Sequence, residues 1–563
     1  MASSAADDHI GVLNGLVAQR SYFENAWRQV RSVAAPDASD FRRGQFGAIG
    51  HNSNDTQRPG AAEASKTIYD STAVWCVDRL SSGIEALVIP QSDYWHGYDT
   101  LDYDFREPSE MSKLFLERLR NLTFKMRYDA DSGWIHASQT AIRRMVAFGN
   151  AFVMVEDGIA GKSVFLYRYM PLAECYAAEN HYGQIDTFYR CYSLTARQAY
   201  EKFGNALSQS IIAAANNPKE AHRSFTFLQC IHPRQDFGLY GAGGIADAKF
   251  ASTHIEFAER RVVGESGYYE FPVVDFRWLP EAGNVYGEGP IMKCLADIQS
   301  LNAMAKNELI AGQQAINPPL LMANAGVMNR PRSQPGAINM GGLNMQGQEM
   351  VKPMFSGQRL DFATTVLEAK RNQVKESLYI NLFALLVQNP QMSATEAMIR
   401  ANEKGELLGP AGAGLQTSLS RMNARELGIM KRRGTFNRGS AFEPPREIAE
   451  REIGTQFTST LDRLRRGREV EGTLQVLNTI APLAQIDPSV TDNIDADAMT
   501  RGLAERLGMP VSFVRKSDEV KSIREAKQQQ QALAANAAIA KDFAAASKSG
   551  VEAMAQGQQA GVF

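Results

Sequence analysis

The 563-residue sequence lacks the features that mark several common classes of protein. No apolar run reaches the roughly 18–20 residues of a membrane span, since the densest, Leu378 to Val387, is too short. The residues from Met1 to Gly11 are polar and acidic, so we expect no signal peptide and no membrane insertion. The cysteines are few, odd in number and without paired spacing, which favours reduced, buried thiols over a disulfide framework. They are Cys76, Cys175, Cys191, Cys230 and Cys294.

An excess of charge is also absent, because 60 basic and 62 acidic residues leave a formal net charge of -2. A protein that grips nucleic acid through bulk charge needs a strongly basic surface. The balance therefore argues against such a clamp, although it allows a protein past which nucleic acid slides. Hydrophobic residues at 44% and charged residues at 22% are typical of globular proteins. The length predicts several domains.

Recognisable catalytic motifs are missing as well. The nearest match to a phosphate-binding loop, Gly158 to Ser163, has the wrong glycine spacing, and a strand-like run follows where a helix is required. We predict a hairpin turn there. Cys230 and His232 could be two metal ligands, but no further ligands follow at a recognisable spacing. We therefore expect no catalytic residue, no cofactor and no metal, which favours a structural or binding role.

Groups of carboxylates have simple explanations. Asp102 and Asp104 alternate on a predicted strand or loop, where exposed carboxylates are ordinary. A second group resembles a calcium loop only loosely, because its glycine and closing glutamate are misplaced, so helix capping is sufficient. This second group is Asp487, Asp492, Asp495 and Asp497.

Two long helices are what the sequence does contain. Tyr286-Gly-Glu-Gly-Pro290 opens the first with a proline suited to the first helical position, and Asn317-Pro-Pro319 ends it. Apolar residues at three-to-four spacing predict a helix over Pro290–Ile316, about 40 Å long. Because its apolar seam is modest, we expect this helix to pack beside neighbours, such as copies of itself. The seam is Ile291, Leu295, Ile298, Leu301, Ala305, Leu309, Gly312 and Ile316.

The second long helix is predicted over Asp361–Val387. Residues 317–355 between the helices are rich in proline and glycine and predict loops and short strands. One helix thus leads out to an extended module and the other leads back. Lys370, Arg371 and Lys375 form a small basic face on the second helix, which is either a solvated surface or a lining that meets phosphates.

The flanking regions predict an α+β class that is mainly helical. Helices are predicted over residues 10–33, 66–89, 109–126 and 132–148, and short alternating runs between 151 and 279 predict a mainly antiparallel sheet. Thr195 is predicted to cap a short helix that ends at Phe203. A helix from Ser393-Ala-Thr-Glu396 to about Arg433 is predicted, interrupted at Gly409–Gly414. Residues 456–509 are predicted to be helical, and the chain from Lys521 is a marginal helix or disordered.

Four stretches resemble the portal, or head-to-tail connector, proteins of short-tailed (podovirus-type) bacteriophages. The most specific is Tyr286-Gly-Glu-Gly-Pro290 with Asp297-Ile298, Leu301-Asn302 and Asn317-Pro-Pro-Leu-Leu321. The others are Tyr22-Phe-Glu-Asn-Ala-Trp-Arg-Gln-Val30, Tyr69-Asp-Ser-Thr-Ala73 leading to Leu80-Ser-Ser-Gly83, and Ser393-Ala-Thr-Glu-Ala397 with Leu407-Leu-Gly-Pro410. Together they span most of residues 10–510.

The resemblance implies a portal-type fold assembled as a ring, usually of twelve subunits, at one vertex of the capsid. The wing would take residues 1–285, the first stem helix 286–316, the clip 317–360 and the second stem helix 361–387. A channel loop and a long wing or crown helix would occupy residues 388–442, a helical crown 443–514, and an Ala/Gln-rich tail 515–563.

The resemblance also implies a channel through which double-stranded DNA is packaged and ejected, located in the virion after assembly in the host cytoplasm. Expected partners are copies of the chain itself, transiently bound double-stranded DNA, the terminase motor, the major capsid and scaffolding proteins, and tail adaptor or nozzle proteins. Candidate DNA-channel residues are Lys370, Arg371, Lys375, Gln388, Asn389 and Gln391. Candidate clip residues for partner docking are Asn329, Arg330, Arg332, Gln346 and Gln348.

Two alternatives from other classes remain. A DNA-packaging enzyme, either a nucleotide hydrolase or a nuclease subunit, would show ATP hydrolysis that Lys162→Ala abolishes. A monomeric capsid-associated scaffold would show the mass of one subunit under native conditions.

Overall fold

The computed structural model divides the chain into two compact units. The first comprises Met1–Leu101, Leu119–Pro444 and Glu452–Gly467, and the second comprises Asp102–Arg118, Pro445–Arg451 and Arg468–Phe563. The residues that the structure describes are 2–38, 65–100, 109–159, 161–234, 247–281, 283–316, 320–322, 346–348, 350–353, 360–380, 394–449, 451–459, 472–473, 475–480, 482, 494–506, 509, 513–515, 519–534, 536–537 and 539–541. Asp102 and Asp104 lie outside them.

The helices confirm the mainly helical class. In chain order they are α1 (Ala2–Ala34), α2 (Thr72–Val88), α3 (Glu110–Arg127), α4 (Trp134–Phe148), α5 (Ala196–Phe203), α6 (Gln209–Asn216), α7 (Pro290–Lys293), α8 (Leu295–Ile316), α9 (Leu360–Ser377), α10 (Ala394–Arg432), α11 (Arg446–Ala449) and α12 (Ala496–Arg506). None of the described helices combines the length and apolar character that crossing a bilayer requires.

The strands form antiparallel sheets, as predicted, in every pairing among the described residues. They are β1 (His96–Thr100), β2 (Asn150–Asp157), β3 (Phe165–Met170), β4 (Cys175–Glu179), β5 (Ile185–Thr195), β6 (Ser224–Pro233), β7 (Phe250–Glu256), β8 (Arg261–Tyr268), β9 (Val273–Arg277), β10 (Leu320–Met322), β11 (Val351–Pro353) and β12 (Ile453–Phe457). The sheet orders are β4-β5-β6-β7-β8, β3-β2-β9, β1-β12 and β10-β11.

The five-stranded sheet is covered on both faces because its apolar residues alternate along each strand. On one face, Leu13 and Leu16 of α1 are buried against Tyr189, Leu228 and other strand residues. On the other face, α5 and α6 pack on residues that include Phe227. The predicted cap of α5 is confirmed, since Thr195 and Gln198 form a reciprocal capping box.

A buried arginine fixes α1 to the start of β4. The guanidinium of Arg20 donates hydrogen bonds to the carbonyl oxygens of Leu172 (2.9 Å) and Cys175 (2.5 Å) and pairs with Glu24. Burial opposes its charge, but Tyr176, Tyr286 and Glu24 hold the pKa of Arg20 above its ordinary value. A buried cation is tolerated only when its donors are satisfied in this way.

A second buried arginine joins α3, β1 and α10. Arg127 donates to both carboxylate oxygens of Glu426 (2.6 and 3.1 Å), to Asn423 Oδ1 (2.6 Å) and to His96 Nε2 (2.8 Å). The Tyr167 hydroxyl of β3 also donates to Glu426. Because arginine can only donate, His96 accepts in its neutral form, and burial followed by the Arg127 charge lowers the pKa of His96 well below its ordinary value. We call these five residues the buried polar hub.

The glycine-rich turn ahead of the first long helix is a site of close backbone packing. The Asn150 side chain forms two hydrogen bonds with Gly287: its Oδ1 accepts from the Gly287 N–H (2.9 Å), and its Nδ2 donates to the Gly287 carbonyl oxygen (2.8 Å). A Cβ atom on Gly287 would collide with the carbonyl oxygen of Trp278, and one on Gly289 would lie 2.7 Å from the nitrogen of Gly149. Only glycine fits these approaches.

The first predicted long helix is present but has a break. Cys294 separates α7 from α8, and the helical hydrogen bonds resume with Ile298 N–H donating to the Cys294 carbonyl (3.0 Å). The predicted seam is buried at Ile298, Leu301 and Ala305. Beyond them it is exposed: Leu309 by 54% and Ile316 by 87%. The inner part of the α8 seam is therefore buried, and its outer part is exposed.

The second predicted long helix ends earlier than expected. The predicted range Asp361–Val387 is wrong at residues 378–380, because α9 ends at Ser377, and residues 381–387 lie outside the described part of the chain. The N–H of Tyr379 donates to the Glu376 carbonyl and that of Ile380 to the Lys375 carbonyl, both at 3.0 Å, the two bonds of a Schellman motif. Tyr379 takes a left-handed φ of 58°, and Ile380 is buried, which anchors the turn.

Tyr379→Gly is expected to raise the free energy of unfolding by about 0.5–1 kcal/mol, because this left-handed position of the motif suits glycine and strains other residues. Thermal unfolding of the purified protein measures the change. Tyr379→Ala is the control, since alanine retains the Cβ atom that causes the strain. If alanine stabilises as much as glycine does, backbone strain is not the cause.

The long helix α10 corrects a second prediction. It runs without interruption for 39 residues, so the predicted break at Gly409–Gly414 is wrong. A proline inside a helix costs about 3 kcal/mol, and burial of the following segment offsets that cost. Its buried apolar residues are Leu415, Leu419, Met422, Ile429 and Met430. Four arginines of this segment contact Asp275 (Arg421, 3.2 Å), Glu270 (Arg425, 2.8 Å, and Arg432, 2.7 Å) and the Gly158 carbonyl oxygen (Arg433, 2.7 Å).

The region predicted as an all-helical crown contains a strand. Ile453–Phe457 is β12 and pairs with β1 within the first unit, in register from His96 with Phe457 to Thr100 with Ile453. In the second unit, Asp495 caps α12 by accepting from the N–H groups of Asp497 and Ala498 (3.0 Å each), as predicted. Asp487 and Asp492 lie outside the described residues, and Asp497 instead pairs with Arg524 (2.6 Å).

Candidate functional site

The two long helices lie antiparallel and meet near their shared base. Lys370 Nζ of α9 donates to Asp297 Oδ1 of α8 at 2.6 Å. The Cys294 thiol, which precedes α8, lies near the Ser377 hydroxyl at the end of α9. These two contacts run in opposite chain directions, so one helix leads outward and the other returns, as predicted.

A buried carboxylate links α9 to the start of α2. Asp70 Oδ1 accepts from the Thr72 N–H (2.9 Å), and Asp70 Oδ2 accepts from Arg371 Nε (2.8 Å). Burial alone would raise the pKa of Asp70, but the hydrogen bonds from Thr72 and the Arg371 guanidinium hold it below its ordinary value. Asp70 is therefore a charged anchor for Arg371 at neutral pH.

Asn302 of α8 holds the backbone that precedes α2. Its Oδ1 accepts from the N–H groups of Tyr69 (2.7 Å) and Asp70 (3.2 Å), and its Nδ2 donates to the Thr67 carbonyl oxygen (3.0 Å). The helix predicted over residues 66–89 therefore starts only at Thr72, because a 3₁₀ turn at Ser65–Thr67 and these side-chain contacts replace its first turn. We call Asp70, Asp297, Asn302, Lys370 and Arg371 the stem node.

The three candidate DNA-channel bases are described, and each contacts its own chain. Lys370 and Arg371 belong to the stem node, and Lys375 Nζ lies 5.9 Å from the ring centroid of the half-exposed Trp75. The structure thus gives the basic face internal partners that the sequence had not indicated. The remaining channel candidates, Gln388, Asn389 and Gln391, lie outside the described residues.

The clip candidates are only partly described. Gln346 and Gln348 are exposed, and Asn329, Arg330 and Arg332 lie outside the described residues. The short pairing of β10 with β11 closes the excursion between α8 and α9, in agreement with the predicted short strands.

The other motifs that the sequence offered for chemistry are structural where the chain is described. Gly158 to Ser163 is the predicted hairpin turn between β2 and β3, with the Gly158 N–H donating to the Val164 carbonyl (2.8 Å). Cys230 is buried in the five-stranded sheet, and burial raises the pKa of its thiol. Within the described part of the chain, no three His, Cys, Asp or Glu side chains are placed to hold a metal ion.

A sequence model of the family described as "Bacteriophage head to tail connecting protein" matches residues 6–514. The chain belongs to this family. The resemblance to portal proteins of short-tailed phages that its motifs indicated is thereby confirmed for the connector.

Two relatives match nearly the whole connector. It is 24% identical over 535 residues to the "Probable portal protein" of Bordetella phage BPP-1, covering 92% of this chain and 91% of the relative. It is 24% identical over 553 residues to the "Portal protein" of Salmonella phage epsilon15, covering 95% of this chain and 93% of the relative. A chain in the virion of the native gene transfer agent particle aligns with a TM-score of 0.36 and 12% identity over 74% of the connector and 88% of that chain.

Three stem-node residues of the connector belong to the sequence stretches that carry the resemblance. Asp70 follows Tyr69 in one stretch, and Asp297 and Asn302 belong to another. Sequence reasoning had not assigned them a role, although their place in the motifs was the available signal. The structure shows that they join α8 and α9 to each other and to the segment before α2.

Proposed function

We propose that the connector forms a ring-shaped channel at one capsid vertex, through which double-stranded DNA is packaged and ejected. Membership of the head-to-tail connecting family supports this role, as do two relatives named portal proteins that match over more than nine-tenths of the chain. Within the chain, the observation that carries the proposal is the half-covered seam of α8.

The seam continues past the point where its own chain stops covering it. Leu309 and Ile316 are seven residues apart and share one helix face, with Gly312 between them. Both side chains are exposed in a single subunit, and Ile310 beside them is also exposed. An apolar stripe that begins buried and ends exposed on one helix indicates a protein contact. In the proposed ring, the neighbouring subunit covers it through a heterologous interface that closes on rotation.

Leu309→Lys combined with Ile316→Lys tests the ring. Both side chains are exposed in the isolated subunit, so the subunit is expected to fold and the ring to dissociate, because charges would be buried between neighbours. Native mass spectrometry and averaged electron images down the ring axis measure the particle. The control is Asn307→Lys with Gln314→Lys, two exposed changes of equal charge off the seam. An intact ring in the seam variant would contradict the proposal.

The basic face of α9 is proposed to give weak, transient contacts to DNA. Lys370 and Arg371 are already paired with Asp297 and Asp70, so a passing phosphate has to compete with a carboxylate for each. Lys375 Nζ lies over the aromatic ring of Trp75, 5.9 Å from its centroid. Such divided attraction suits a conduit, since tight binding of many phosphates would stop movement of the DNA.

Replacing Lys370, Arg371 and Lys375 together with Gln is expected to lower the DNA retained per head, and only modestly, since each exposed ion pair contributes at most about 1 kcal/mol. DNA packaged per head and DNA retention are the measurements. Asp70→Asn with Asp297→Asn breaks the same stem-node pairs but leaves the bases. Equal losses in both variants would assign the effect to the node, and wild-type values in the triple variant would remove the bases from the mechanism.

The proposed partners follow from the same role. The clip between α8 and α9 is proposed to dock the terminase motor during packaging and tail adaptor or nozzle proteins afterwards. The wing is proposed to contact the major capsid and scaffolding proteins. Assembly would begin in the host cytoplasm and end with the connector at the portal vertex of the virion.

A further inference from the structure

Two histidines face each other where α1 lies on the five-stranded sheet. His9 of α1 and His232 of β6 have ring centroids 5.2 Å apart. His9 Nδ1 is 2.9 Å from the Tyr189 hydroxyl of β5, and His232 Nδ1 is 3.1 Å from the Pro233 carbonyl oxygen. The pair therefore bridges the helix and the sheet, at the edge of the apolar contact made by Ala6 and Leu13.

We propose that His9 and His232 form an acid-sensitive fastening between α1 and the five-stranded sheet, so that protonation of both imidazoles releases the first turns of α1. In their neutral forms the two rings pack and hydrogen-bond across the contact. Two imidazolium cations at this separation repel each other in a partly desolvated place.

The charged groups around His9 do not cancel this repulsion. Asp8 of α1 and Glu265 of β8 favour the protonated ring, and the Tyr189 hydroxyl provides a neutral partner. Asp7 is already paired with Arg260, between β7 and β8, at 2.9 Å. Burial, followed by the neighbouring His232, outweighs the two carboxylates and lowers the pKa of His9 below its ordinary value.

The direction of the pH effect follows from proton linkage. A histidine whose pKa is lowered in the docked state binds protons better once α1 is released. Docking is therefore complete above the ordinary histidine pKa of about 6.5 and weakens as the pH falls below that value. Alternation along β6 places His232 on the same face of the sheet as Leu228 and Cys230, and α1 covers that face. Repulsion between the two protonated rings therefore acts directly on α1.

Hydrogen exchange with mass spectrometry on the assembled connector tests the proposal at pH 7.5 and pH 5.5, with labelling times scaled for intrinsic exchange. Protection of residues 2–17 in the wild type is expected to fall measurably at the lower pH, because α1 binds protons better once it is released. His232→Gln removes the second charge and is expected to lose less protection than the wild type, since burial of His9 remains and repulsion between the rings does not. His181→Gln, in the exposed turn between β4 and β5, is expected to behave as wild type.

Two outcomes would overturn the proposal: no loss of protection in the wild type, or the same loss in His232→Gln as in the wild type. Protection of β5–β7 at pH 7.5 reports whether His232→Gln leaves the sheet intact. If it does not, His9→Gln asks the same question from the helix, because it removes the other member of the pair. Retained protection in that variant supports the fastening, and a wild-type loss contradicts it.

Discussion

Arg127→Met is expected to lower the free energy of unfolding by about 3–5 kcal/mol, because it leaves the Glu426 carboxylate buried without its cation. Glu426 and Arg127 are both fully buried, and Asn423 and His96 each lose a hydrogen bond as well. Trp95 lies 4.7 Å from the Arg127 guanidinium, measured from Cζ to the ring centroid. Tryptophan fluorescence during urea unfolding therefore reports on this part of the first unit.

The double variant Arg127→Met with Glu426→Leu distinguishes the effect of losing the ion pair from the cost of burying the Glu426 carboxylate without a partner. It is expected to be more stable than Arg127→Met alone, since neither charge is then left buried and unpaired. Arg120→Met is the matched control on the same helix: Arg120 lies over the Tyr94 ring, 4.3 Å from Cζ to the centroid. A control as destabilised as Arg127→Met would show that loss of any α3 arginine is sufficient.

Gly287→Ala is expected to lower the free energy of unfolding by about 3 kcal/mol or more, at least as much as ordinary overpacking of a core. The added Cβ atom meets the backbone carbonyl of Trp278, which cannot move away as the end of a flexible side chain could. The same change would loosen the double hydrogen bond with Asn150. Because this turn starts the first long helix, we expect soluble yield and thermal midpoint to fall together.

Gly15→Ala is the control for Gly287→Ala. Gly15 lies on the exposed side of α1 with nothing within 4 Å of a built Cβ atom. Alanine is a better helix former than glycine by about 1 kcal/mol, so the control is expected to raise the midpoint. Opposite signs for the two glycines would assign the damage at Gly287 to close packing. A Gly287→Ala protein as stable as wild type would show that the backbone there can shift.

Hydrophobic periodicity correctly predicted the helices and strands that depend on the pattern of residues within the segment itself. The helices α3 and α4, the alternating strands β5 and β6 and the hairpin at Gly158 follow from local patterns, and the structure confirms them. The start of α2 and the end of α9 could not be predicted in the same way, because contacts with distant residues determine them. Asn302 of α8 binds the backbone of residues 67–70, so that α2 begins later than predicted. The burial of Ile380 favours the turn that ends α9, although the local sequence favours a longer helix.

The stem node shows why site residues are harder to predict than helices. A basic face on α9 was visible as Lys370, Arg371 and Lys375, but the partners of two of these bases come from elsewhere in the chain. Pairing between Arg371 and Asp70 spans a separation of 301 residues, which no spacing rule detects. The polar hub is equally hidden, because a lone Arg127 or Glu426 looks like an ordinary surface charge in sequence.

The buried polar hub also determines how late in translation the first unit can complete its folding. Arg127 and Glu426 are separated by 299 residues, so at about 5–20 residues per second a nascent chain waits roughly 15–60 s for its counter-charge. Closure of β1 needs β12, which emerges later still. The first unit can therefore finish folding only near the end of translation. Until then, an early half with unsatisfied polar groups and open strand edges is the part that chaperones would have to shield.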